Sequence, residues 1–204
     1  MIRYLNFLLA IFILIPIKAI ALIEVDITRG NLNPLPIAVS PLSIDNESNK
    51  NLKNLLKKTN IGSEISKIVE NNLKTSGLFN PLNKDAFLQK PDIAHLKPRF
   101  EDWALIKAQA LITGKVTYQD QKLRVEFRLW DVLAAKEIMA LAFTTVPANW
   151  RRVGHIITDK VYERLTGEKG YFDTRIIYVA EKGPKIKRIK KLAIMDQDGF
   201  NTKY

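Results

Sequence analysis

The side chains best suited to chemistry are few in this sequence, and their spacing is informative mainly for what it excludes. The 204 residues contain two histidines, His95 and His155, and no cysteine. Thiolate zinc sites, disulfide frameworks, Cys nucleophiles and histidine-rich metal centres are therefore excluded. His155 and Asp159 stand four apart in a helical pattern and so share a face, as two metal ligands or a carboxylate orienting an imidazole would. No third ligand or nucleophile accompanies them, and the favoured reading is a structural hydrogen bond. Asp196, Asp198, Gly199 and Asn201 look like part of a calcium loop, but the glycine falls at the fourth position instead of the sixth and no glutamate closes the loop. The spacing predicts a hairpin turn. Gly167-Glu168-Lys169-Gly170 lacks the spacing and the Ser or Thr of a phosphate loop, and no dinucleotide, serine-hydrolase or zinc-protease pattern occurs. The sequence predicts no enzyme, no cofactor, no metal and no small-molecule substrate.

Charge raises a different possibility. Lys and Arg number 32 against 21 Asp and Glu, a net +11, a balance found in proteins that bind nucleic acid or anionic membranes. Much of the excess lies in Lys182, Lys185, Lys187, Arg188, Lys190 and Lys191. No aromatic residue is interleaved there for base stacking, so these side chains read as the solvated surface of a hairpin, with no nucleic-acid partner. The alternative is an exported binding module that uses the basic hairpin to associate with anionic lipid or nucleic acid. Arg151 and Arg152 read as a solvated helix face. Trp103, Trp130 and Trp150 read as packing residues, Trp130 falling on the polar side of its strand where it would cover a helix.

Residues 1–21 carry Arg3, an apolar run from Leu5 to Ile17 and then Ala19-Ile20-Ala21. This is the order of a cleavable secretory signal peptide, with cleavage after Ala21, and the run falls short of the roughly 20 residues of a spanning helix. The following segment alternates Ile23, Val25 and Ile27 with polar residues and breaks at Gly30, ahead of Pro34 and Pro36. It is either an edge strand or an extended arm available to a partner.

The elements that must position these residues follow from periodicity. Ile37-Ala38-Val39 reads as a short strand, Asp45 to Lys58 as a connector, and Asn60 to Ser76 as a helix capped by Asn60 and stopped at Gly77. Leu78 to Pro98 reads as a loop, followed by a short helix near Glu101 that carries Trp103 and Ile106 inward. Ala110 to Tyr118, Leu123 to Trp130 and Glu137 to Thr145 form a meander of three strands, with a tight turn at Gln119-Asp120-Gln121-Lys122. Pro147 to Thr166 is helical and closes at Gly167. The order predicts an α/β domain of α+β sandwich type over residues 22–169, a mixed sheet packed by two or three helices. Thr174 to Ala180 and Ile189 to Met195 form a further hairpin. Two strands cannot bury a two-sided core, so the hairpin must dock on the domain, pair with another chain or belong to a larger unit, and residues 170–204 are expected to be poorly ordered or loosely docked.

The run Trp150-Arg151-Arg152-Val153-Gly154-His155-Ile156-Ile157-Thr158-Asp159-Lys160-Val161-Tyr162, followed by Leu165 to Val179, resembles the domain junction of the TolB family, the periplasmic components of the Tol-Pal envelope system. Arg128-Leu129-Trp130-Asp131-Val132, Pro36-Ile37-Ala38-Val39 and Leu192-Ala193-Ile194-Met195-Asp196-Gln197-Asp198-Gly199 extend the resemblance over the chain beyond residue 21. It implies an amino-terminal α/β domain followed by a β-propeller, here an incomplete first blade over residues 170–204. It also implies a periplasmic interaction protein supporting envelope integrity and cell division. Carried over residue by residue, it makes Leu22, Ile23, Glu24, Val25, Asp26, Ile27, Thr28, Arg29 and Gly30 the arm that contacts the inner-membrane protein TolA. The peptidoglycan-associated lipoprotein would be a partner only of the remainder of the propeller.

Overall fold

A computed structural model describes residue 23, residues 33–58 and residues 60–204. Strands β1 (Leu35–Val39), β2 (Ser43–Ile44), β3 (Phe79–Pro81), β4 (Ala110–Gln119), β5 (Lys122–Asp131) and β6 (Lys136–Thr145) form one mixed sheet in the order β3-β1-β4-β5-β6, with β2 also paired to β4. Strand β1 runs parallel to both β3 and β4, and β2 parallel to β4, whereas β4, β5 and β6 are an antiparallel meander. The turn between β4 and β5 has positive φ at both central residues, Asp120 and Gln121, the mirror-image geometry that matches the twist of paired strands.

Alternation decides which face of the sheet is covered by what. Leu123, Val125, Phe127 and Leu129 of β5 are fully buried on one side, each such side chain contributing about 1.5–3 kcal/mol on leaving water. Helices α2 (Ile61–Thr75) and α5 (Trp150–Thr166) cover that side, through Ile65, Ile68 and Leu73 of α2 and Val153, Ile157, Val161 and Leu165 of α5. The other side carries a smaller core of Ala38, Ala94, Trp103, Leu111 and Val132, closed by the short helices α3 (Pro91–Ala94) and α4 (Phe100–Leu105). Trp130 faces this side as expected, donating to Thr113 Oγ1 at 2.9 Å and meeting the edge of Phe100.

Asn60 caps α2 by accepting from the Ser63 N–H, and Gly77 and Gly167 follow their helices at positive φ. The connector expected over Asp45 to Lys58 is instead a helix, α1 (Asn46–Leu56). Asp45 caps it by accepting from the Ser48 N–H at 2.8 Å, an interaction that draws the Asp45 carboxyl below its usual range. Only Ser48 and Leu52 of this helix are buried, so its apolar stripe is nearly invisible to periodicity. Within the expected loop at Leu78 to Pro98, β3 adds a strand edge and α3 a single turn.

Helices α2 and α5 cross closely because Gly154 has no side chain: a Cβ there would lie 2.9 Å from Ile68 Cγ2. Replacing Gly154 with Val forces the helices apart, and urea denaturation of Gly154→Val should show a loss of about 1–3 kcal/mol.

Candidate functional site

The hairpin of β7 (Arg175–Lys182) and β8 (Ile189–Asp196) is not loosely attached. It docks on the α/β body through a polar junction built around α5. That helix begins with Arg151 and Arg152 and has no acidic residue in its first turn, an arrangement its own dipole disfavours. Carboxylates that follow it in sequence supply the missing charge. Asp173 receives Arg152 through Nε at 3.0 Å and Nη2 at 3.0 Å, and Asp198 receives the Arg151 guanidinium, which also lies 3.9 Å above the Phe200 ring. Arg151 is 15% exposed and so is not the solvated residue that the sequence suggested.

His155 and Asp159 do not pair with each other. Asp159 accepts from the backbone N–H groups of Phe172 at 2.6 Å and Asp173 at 3.1 Å, and Gly170 allows this approach, since a Cβ there would sit 2.4 Å from Asp159 Cα. Phe172 is thereby pinned into the main core, against Tyr162. His155 is buried and belongs to a second network. The Thr158 hydroxyl donates to Gly154 O at 2.8 Å, so its oxygen accepts from Asn72 Nδ2 at 3.2 Å. The same amide nitrogen lies 2.9 Å from His155 Nδ1, which must therefore accept, leaving the ring proton on Nε2. Asn72 Oδ1 in turn accepts from Gln197 Nε2 at 2.9 Å. Four side chains, from α2, α5 and the turn after β8, are joined in this way.

His155, Asp196 and Asp198 come close enough together to suggest a metal site, but the arrangement does not suit one. His155 Nε2 carries a proton and lies 3.6 Å from Asp198, and the Arg151 guanidinium already occupies the carboxylate. Asp196 Oδ2 accepts from Asn201 Nδ2. The Asp196–Asn201 segment is the expected turn, closed by the Gly199 N–H to Asp196 O and the Asp196 N–H to Phe200 O. Beside it opens a polar cleft of about 340 Å³ lined by Arg152, His155, Asp173, Arg175 and Asp196.

Of the arm expected to bind a partner, Leu22, Glu24, Val25, Asp26, Ile27, Thr28, Arg29 and Gly30 lie outside the described residues. Ile23 is described. Its N–H donates to Asp131 Oδ2 at 3.3 Å, and its side chain packs half-buried on the main core. Asp131, buried at the end of β5, accepts from the Ala134 N–H through Oδ1 at 2.9 Å, so one carboxylate fastens both the β5–β6 turn and the backbone of Ile23. Asp131 was not among the expected site residues. Its signal was an Asp at a strand end three residues before a backbone N–H that needs an acceptor. In the basic hairpin, Glu181 pairs with Arg188 and Lys190, while Ile186 at the tip is 98% exposed. No helix among the described residues is long and apolar enough to cross a membrane.

A mixed sheet with two long helices on one face and small helices on the other defines an α+β domain continued by a β-hairpin. The model of the TolB amino-terminal domain matches residues 23–138, and the chain belongs to the TolB family. It is 80% identical over 200 residues to the Tol-Pal system protein TolB of Pelagibacter ubique (strain HTCC1062), covering 98% of this chain and 45% of that protein. The chain thus spans about half the length of this relative. The crystal structure of TolB from Acinetobacter baumannii superposes with a TM-score of 0.68 at 23% identity, covering 89% of this chain and 41% of that one, a likeness of fold.

The junction geometry predicts that Arg151→Leu, which strands Asp198 beside His155, raises amide hydrogen exchange in β7 and β8 by about fivefold or more, since such a part-buried partner is worth about 1–3 kcal/mol. Exchange in β4 and β5 should be unchanged.

Proposed function

We propose that this chain is a periplasmic protein–protein interaction component of the Tol-Pal system, exported by a signal peptide cleaved after Ala21, that supports outer-membrane integrity and constriction during cell division. It binds rather than catalyses. Its contact with a TolA-like inner-membrane protein is made by Leu22 to Gly30, which exchanges between its own domain and the sheet edge of the partner. The observation that supports this reading is the seating of Ile23: this described residue of an alternating, proline-bounded segment donates its N–H to Asp131 at 3.3 Å and packs half-buried on the main core. A 3.3 Å hydrogen bond of this kind from a backbone N–H can be exchanged for one to the edge of another sheet. Residues 22–169 form the domain that presents the arm, and residues 170–204 are the first strands of a propeller blade. Binding of the peptidoglycan-associated lipoprotein belongs to the rest of such a propeller. Deleting residues 22–30 should weaken binding to the periplasmic domain of the TolA-like partner at least tenfold in a calorimetric titration; unchanged affinity would reject the reading.

A second reading rests on the hairpin tip, where the exposed Ile186 stands between Lys185 and Lys187, an apolar residue in a basic collar suited to an anionic lipid surface. Under this reading the chain co-sediments with anionic but not neutral vesicles, and reversing Lys187, Arg188 and Lys190 to Glu abolishes the difference. Under the first reading, those reversals leave partner binding intact.

A further inference from the structure

The Asn72–His155 contact and the Arg151–Asp198 pair beside it do more than hold the hairpin in place. From the donor and acceptor order at the ring we infer that they form a proton-operated latch: the hairpin is docked fully while His155 is neutral, and its docking loosens when His155 takes up a second proton. The inference rests on the junction alone and stands or falls separately from the contact with a TolA-like protein.

In the docked arrangement His155 Nδ1 accepts from Asn72 Nδ2, whose orientation is fixed because the Thr158 hydroxyl proton is used on Gly154 O. A proton added to Nδ1 therefore meets an N–H at 2.9 Å. Relief requires Asn72 to turn its amide and offer Oδ1 to the ring. That turn removes the acceptor used by Gln197 Nε2 and sets two donors against each other, at the point where the hairpin turn touches α2. It also leaves Thr158 Oγ1 facing a carbonyl oxygen while its proton remains committed to Gly154 O. Protonation thus breaks the hydrogen bond that joins α2 to the hairpin turn, along with those from Asn72 Nδ2 that join α2 to α5.

The charges around the ring do not reverse this. From α5, Arg151 and Arg152 lie toward its start and Asp159 one turn beyond; from the linker and hairpin come Asp173, Arg175, Asp196 and Asp198. Helix α2 brings the neutral amide of Asn72. Asp198 favours an imidazolium, but Arg151 is already bound to it and opposes one. Burial weighs most heavily and holds His155 below its ordinary value of 6.5, with Asp198 raising and Arg151 lowering it in smaller measure. An undocked hairpin would free the ring toward solvent and toward that ordinary value. Docking is then complete above about pH 6.5 and is lost as pH falls from there through the depressed value, by about tenfold in the docking equilibrium for each unit of depression.

The test is amide hydrogen exchange by NMR on the whole chain between pH 7.5 and 5.0, corrected for the intrinsic pH dependence, alongside titration of the His155 ring signals. The expected result is that protection in β7 and β8 falls at least fivefold relative to β4 and β5, with a midpoint that follows the His155 titration. His155→Gln, which keeps an amide donor and acceptor but no titration, should make hairpin protection independent of pH over this range. His95→Gln, which removes the other histidine, should change nothing. Hairpin protection that does not follow the His155 titration, a ring that titrates at or above 6.5, or a pH response surviving in His155→Gln would each overturn the latch. If His155→Gln does not fold, coincidence of the two midpoints in the unaltered chain decides the matter alone.

Discussion

The wall of side chains that Leu123, Val125, Phe127 and Leu129 raise on one side of β5 has to be kept from water, and that requirement organises the described chain. No single helix is broad enough to cover it, so α2 and α5 lie on it together and must approach each other closely, which Gly154 and Ile68 permit. Once α5 is fixed by this packing, its polar side is fixed as well. Arg151, His155 and Asp159, spaced at four-residue intervals, therefore face the segment that leaves the helix. The polar junction is in this sense the reverse side of the hydrophobic core.

The same coupling explains why α5 tolerates two arginines in its first turn. A helix start carries partial positive charge and ordinarily attracts acidic residues. Here Asp173 and Asp198 arrive from later in the chain, so the local sequence is unfavourable alone and favourable only when the hairpin is present. Docking of the hairpin and comfort of the helix are one event, a conflict within the sequence resolved by tertiary structure.

Much of this architecture was legible in the residues. The three-strand meander, α2 with its Asn60 cap, α5 with its Gly167 stop and the β7–β8 hairpin all declare themselves by strong two-residue or helical periods, because each buries a continuous face. Helix α1 did not, because Ser48 and Leu52 alone are buried and a cap hydrogen bond does the work that a stripe does elsewhere. Polar partnerships were the least legible. The sequence places His155 and Asp159 on one face but cannot say that Asp159 serves the backbone of Phe172 and Asp173, or that His155 is met by Asn72 from a helix 83 residues distant in sequence. Such partners are set by the crossing of helices, which no local pattern encodes. Asp131 escaped notice for a related reason, since its ligand is the backbone N–H of residue 23, far away in sequence.

The grip of Asp159 on the backbone of Phe172 and Asp173 has a mechanical meaning. Chain leaving α5 at Thr166 does not hang from the end of the helix; it doubles back and is clamped beside the helix's middle, with the Phe172 ring wedged into the core. A pull from the far side of the hairpin would therefore meet the centre of α5, where two backbone hydrogen bonds and a buried ring hold the chain, before it reached the last turn of the helix. The chain beyond α5 is thus tied to the middle of the helix and not to its last turn.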